Sequence, residues 1–112
     1  MNPNFTKGQR RKLRDLGGIA YERDLSEHLA RLESEFRRWR AGEIDPFALA
    51  EAIHQFHQGP ARELFSTYAT SDLDFAVAQA IHRGLLKQEE VGADVLELLS
   101  KHLSVWGERD KK

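Results

Sequence analysis

Apolar positions along this chain recur at intervals of three and four, and no segment alternates with period two for long enough to make a strand. That pattern predicts an all-α protein. The strongest run lies between Ile19 and Ala41, a stretch without proline or glycine. Leu25, Leu29, Leu32, Phe36 and Trp39 follow one another at spacings of four, three, four and three, which is a heptad seam on one helix face. Charges fill the other faces, with Arg23 to Glu27, Glu27 to Arg31 and Glu33 to Arg37 spaced to pair across one turn. Arg37, Arg38 and Arg40 crowd the last turns, where cations suit the helix dipole, and Gly42 stands where a helix stops. A helix over 19–41 is roughly 34 Å long, comparable with the whole width of a domain this size. The seam is therefore expected to be buried against neighbouring segments.

Shorter elements flank it. Thr6 and Gln9 have the spacing of a capping box for an early helix carrying Leu13 and Leu16. Gly17-Gly18 costs that helix roughly 2 kcal/mol against alanine, so a kink or break is expected there. Asp45-Pro46 opens the next helix as N-cap and first residue, with Leu49, Ala52, Ile53 and Phe56 as its stripe. Gly59-Pro60 is expected to close that helix and start another carrying Leu64, Phe65 and Tyr68. Ser71 or Asp72 caps a helix with Leu73, Ala76, Val77, Ala80 and Ile81 inward, and Gly84 ends it. A short turn over 87–91 and a helix from about 93 to 102 complete the chain. The sum is a single-domain bundle of five or six helices over 1–112, built around helix 19–41, with 1–8 and 107–112 frayed at the ends.

Composition narrows the class. The chain has 112 residues, enough for one domain, and is 40% hydrophobic and 31% charged. It has no cysteine, so disulfides, thiolate metal sites and thiol catalysis are excluded. No run reaches the roughly 18 apolar residues that a membrane span needs, and the polar, basic N-terminus does not resemble a signal peptide. A cytoplasmic protein with no membrane partner is expected. The net charge of −1 hides a basic stretch containing Lys7, Arg10, Arg11, Lys12 and Arg14. Arg10, Arg11 and Arg14 are candidates for contact with a polyanion or acidic partner. The near-neutral balance and the lack of interleaved aromatics nevertheless make nucleic acid an unfavoured partner.

The densest chemistry lies over 52–64, AIHQFHQGPAREL. Glu51, His54 and His57 form a ladder on one side of their helix, and Arg62 follows the Gly-Pro step. Imidazole and carboxylate at that spacing suit zinc, iron or nickel. The zinc-protease pattern HExxH is absent, and di-iron bundles require a second Glu-x-x-His motif. No metal and no cofactor is assigned. A helix start at Pro60, with Arg62 and His57 beside it, would instead offer amide groups to a carboxylate or phosphate. Ordinary helix-stop chemistry accounts for the same residues without any ligand. Ser66, Ser71, Ser100 and Ser104 sit in no nucleophile-elbow context, and Tyr21 and Tyr68 read as packing residues. An enzyme using His54 or His57 as general base is not favoured. The expected function is a non-enzymatic protein-interaction or regulatory module that pairs with another protein or with itself. In a homodimer, Phe36 and Trp39 on the heptad seam would be the anchors. Ligand binding at Glu51, His54, His57 and Arg62 is the first alternative, and nucleic-acid binding through the basic stretch is the second.

Overall fold

The computed structural model describes residues 5–69 and 73–104; the capping residues Ser71 and Asp72 and the tail over 107–112 lie outside that range. Every regular element among the described residues is helical. Helix α1 spans Lys7–Arg40, α2 Pro46–Phe56, α3 Arg62–Tyr68, α4 Leu73–His82, α5 Gln88–Val91 and α6 Ala93–Leu98. A π-helical turn over His57–Ala61 joins α2 to α3. This is the all-α bundle around one long helix that the pattern predicts, but the long helix is longer than expected.

Helix α1 starts where Thr6 and Gln9 close a capping box. The Gln9 amide donates to Thr6 Oγ1 at 3.1 Å, and the Thr6 amide donates to Gln9 Oε1 at 2.8 Å. Phe5, in the stretch expected to fray, is buried. The helix then runs straight through Gly17-Gly18 instead of breaking. The cause is a helix crossing. Gly17 is buried, and a Cβ placed on it would stand 3.1 Å from Leu73 Cδ2 of α4. The missing side chain lets α4 approach closely, and that packing offsets the glycine's intrinsic penalty. Thirty-four residues at 1.5 Å each make α1 about 51 Å long. The longest dimension of the molecule is 53 Å.

The core gathers on the first half of α1. Leu13, Leu16 and Ala20 pack with the α4 row Leu73, Ala76, Val77, Ala80 and Ile81, with Leu64 and Tyr68 of α3, and with Leu86, Val91, Val95 and Leu99 beyond α4. The α4 stripe is buried as the spacing predicts. Gly84, at φ +81°, turns the chain out of α4 in the left-handed region that glycine enters without strain. Arg23 ties α1 to the segment after α4. Its Nη1 donates to the Leu85 carbonyl at 2.8 Å and to Glu90 Oε2 at 2.9 Å, and its Nη2 donates to Glu90 Oε1 at 2.6 Å.

The second half of α1 has no fully buried residue after Asp24. It forms a two-helix hairpin with α2. The turn uses Gly42 at φ +77° and the Asp45 cap, whose Oδ1 accepts from the Ala48 amide at 2.7 Å. The seam expected to be the core is therefore on the surface in large part. Leu25 and Leu32 are half-buried, while Leu29, Phe36 and Trp39 are 45%, 37% and 39% exposed. Helices α3 to α6 pack on the other half of α1, and α2 alone cannot cover the seam.

Gly59-Pro60 is not a break either. Proline in an α-helix lacks its amide hydrogen and clashes with the carbonyl four residues back. Widening the turn by one residue accommodates the ring, so α2 continues through Pro60 into α3.

Candidate interaction face on the helical hairpin

Two flanks of the hairpin differ in chemistry. On α1, His28, Arg31 and Glu35 share one side, and Leu29 and Phe36 lie about a third of a turn further round. On α2, Leu49 is buried and Phe56 half-buried against α1, while Ile53, one residue after Ala52, is 41% exposed. Because the helices run antiparallel, the same rotation sense carries Ile53 to the flank that Leu29 and Phe36 occupy. That flank presents Leu29, Phe36 and Ile53 with Leu25 and Leu32 at its base. Phe47, at the start of α2, is also exposed. Contiguous apolar surface of this kind marks a contact face more often than scattered exposed residues do.

The other flank holds a groove of about 390 Å³ between α1, α2 and the π turn. Its apolar floor is Leu32, Ala52, Phe56 and Pro60, and its polar rim is His28, Arg31, Glu35 and Gln55. Glu35 is engaged by Arg38, whose Nη1 lies 3.2 Å from each carboxylate oxygen. Arg31 Nη1 lies 3.3 Å from His28 Nδ1.

At the root of the hairpin sits Asp24, whose side chain is only 2% exposed. Arg83 grips it in bidentate fashion, at 2.8 Å to Oδ2 and 3.2 Å to Oδ1, and the Tyr68 hydroxyl donates to Oδ2 at 3.2 Å. His28 Nε2 stands 3.8 Å from Oδ1. The Tyr68 ring stacks on Tyr21 with centroids 5.1 Å apart. Burial pushes the Asp24 carboxyl up, but the Arg83 hydrogen bonds and charge, with the Tyr68 hydroxyl, outweigh it and hold Asp24 below its ordinary value. Burial and the Asp24 charge push the Tyr68 phenol up to about 12. The cluster ties α1, α3 and the end of α4 together and is satisfied internally, so it reads as a structural joint. A signal for it existed in the sequence. Leu13, Leu16, Ala20 and Asp24 form one row at spacings of three, four and four, which places Asp24 on the buried face.

The residues singled out over 51–62 do not converge. Glu51 accepts from Gln55 Nε2 at 2.7 Å, and Arg62 donates to Gln58 Oε1 at 3.2 Å. His54 and His57 are exposed. No hydrogen bond or ion pair joins these four side chains to one another, and among the described residues no group of His, Asp and Glu is arranged to hold a metal. With the helix continuous through Pro60, there is no helix N-terminus at that point to offer free amides. His28 is held by Arg31 and Asp24. His102 Nε2 stands 3.4 Å from Asp74 Oδ2 and meets Phe75 edge-on, at the mouth of a depression of about 510 Å³. In the basic stretch, Arg10 donates to the Phe5 carbonyl at 3.2 Å, and Arg11 and Arg14 are exposed. No helix among the described residues is long and apolar enough to cross a membrane. No known protein family matches this chain, and neither a curated protein nor a solved structure is similar to it.

Proposed function

We propose that this protein is a non-enzymatic interaction module that associates with a second copy of itself through the apolar flank of the hairpin. One observation carries this: the heptad seam on the second half of α1 is half-exposed, with Leu29, Phe36 and Trp39 each more than a third open to solvent. Shape agrees with it. A compact chain of this length has a radius of gyration near 13 Å, whereas this one has 17.4 Å. The excess comes from a hairpin that projects without a layer over one side. A two-helix hairpin with one apolar flank completes its core most simply by two-fold pairing into a four-helix bundle.

Charge favours a second copy in antiparallel register. Over 22–28, α1 exposes Glu22 and Glu27, Arg23 being paired with Glu90; over 33–40 it carries three arginines against two glutamates. Antiparallel pairing sets the acidic stretch of one copy against the basic stretch of the other. Phe36 serves as the aromatic anchor on that flank. Light scattering across a concentration series is the test. Twice the chain mass of 12.9 kDa is expected at high concentration, and a monomer for Leu29→Glu/Phe36→Glu, with helical content retained in both. A monomer throughout for the unaltered chain contradicts it.

A further inference from the structure

The groove on the opposite flank of the hairpin has chemistry that self-association does not use. Among the described residues Arg31 has no carboxylate partner; its one polar contact is His28. A guanidinium can only donate, so that contact requires a bare Nδ1 on His28, with the ring proton on Nε2 facing Asp24 Oδ1 at 3.8 Å. Asp24 is itself fixed by Arg83. The order runs from a buried carboxylate to an oriented imidazole to a guanidinium held at the rim of a groove. With Nη1 on His28, Arg31 keeps its other donors available at the rim, which suits a planar, two-oxygen acceptor.

Beneath that rim the floor is apolar. Leu32, Ala52, Phe56 and Pro60 line it, and Pro60 reaches it because the chain widens into a π turn instead of ending a helix. Glu35, the carboxylate on the rim, is neutralised by Arg38. At about 390 Å³ the groove lies within the size range of small-molecule sites, which pair an apolar body with a few fixed polar groups. We propose that this groove binds an organic carboxylate with an apolar body, with Arg31 taking the carboxylate and Leu32, Ala52 and Phe56 taking the body. Arg31 is the binding residue, and His28 is the residue that positions it.

Titration of the full chain with 4-phenylbutyrate, followed by amide chemical shifts and calorimetry, tests this against the uncharged 4-phenylbutyramide. The expected result is saturable binding of the acid, with shifts confined to 28–35 and 52–60, and at least tenfold weaker binding of the amide. Arg31→Gln removes that difference and Ala52→Leu, which fills the floor, weakens both probes. Arg40→Gln, at another α1 arginine without a carboxylate partner among the described residues, leaves acid binding unchanged. His28→Ala weakens acid binding several-fold while amide binding holds. Helical content measured on every variant separates lost binding from lost folding. Equal affinity for acid and amide, shifts elsewhere, an effect of Arg40→Gln equal to that of Arg31→Gln, or no binding of either probe each overturns the proposal. Repeating the titration on monomeric Leu29→Glu/Phe36→Glu separates it from the dimer: binding there is expected to be unchanged.

Discussion

The two halves of α1 are made of the same secondary structure and carry similar numbers of apolar residues, yet one is core and the other is surface. In the first half the row Leu13, Leu16, Gly17, Ala20 is fully buried; in the second half the row Leu25, Leu29, Leu32, Phe36 is half-open. The difference lies in side-chain size and in what is available to pack. Gly17 and Ala20 are small enough to admit α4, whose Leu73 lies against Gly17, and α5 and α6 close over the result. The second half offers larger side chains and, beyond Leu25, meets only α2 and the π turn. Periodicity says which face of a helix is apolar. It does not say whether enough chain exists to cover that face.

The largest effect expected from breaking this contrast is at Leu13. Leu13→Ala leaves a cavity in the closed core and should cost about 3 kcal/mol of unfolding free energy in urea, within the range for buried leucines. Leu29→Ala, half-exposed in one copy, should cost under about 1 kcal/mol when measured at concentrations low enough to keep the chain monomeric. If the two losses are equal, the division of α1 into core and surface is wrong.

The joint between the halves comes next. Asp24→Ala removes a buried acceptor from Arg83 and Tyr68, and should cost about 2 kcal/mol. This is less than a fully buried pair would lose, because the Arg83 side chain is 40% exposed and can turn to water. The same cluster sets the pH limits of the fold. Asp24 is held below its unfolded value, so its contribution is present above pH about 4 and is lost as pH falls through the folded value. Tyr68 is held above its unfolded value, so its contribution is complete below pH about 10 and is lost as pH rises toward about 12. Urea midpoints across pH should show a plateau between these limits. Asp24→Asn should flatten part of the acid limb, the remainder belonging to Glu90, whose hydrogen bonds to Arg23 and the Lys87 amide bring it down to about 2. Ultraviolet titration should show a tyrosine that ionises only near pH 12.

The smallest effect sharpens the comparison at a single step. Gly18 faces open space, and Gly18→Ala should stabilise the chain by about 0.5–1 kcal/mol through helix propensity alone. Gly17→Ala gains the same propensity but presses on Leu73, so it should gain less or lose stability. Thermal denaturation of the two variants side by side separates them. Equal stabilisation would mean that α4 does not depend on the gap at Gly17.

These contrasts also mark what could be read from the chain alone. Thr6 with Gln9, Asp45 with Pro46, and Gly42 each solve a hydrogen-bonding problem within a few residues, so their positions announce helix ends directly. The α4 stripe was legible for the same reason, being apolar on a face that has only one way to turn. Gly17-Gly18 misled because its compensation comes from Leu73, distant in sequence. Gly59-Pro60 misled because a π turn satisfies the same local constraint that normally ends a helix. The pairing of Asp24 with Arg83 crosses 59 positions, and only the buried row through Leu13, Leu16 and Ala20 hinted at it. The histidines at 54 and 57 drew notice through spacing, but spacing does not carry them toward a common point. The groove nearby takes its imidazole from His28, on another helix.

Hydrogen exchange measured at low and high protein concentration tests the central claim most directly. Residues 25–40 and 46–57 should gain protection as concentration rises, because a second copy covers them, while residues 13–20 should keep the same high protection at both. Exchange over 25–57 that is independent of concentration would show that the hairpin meets no second copy.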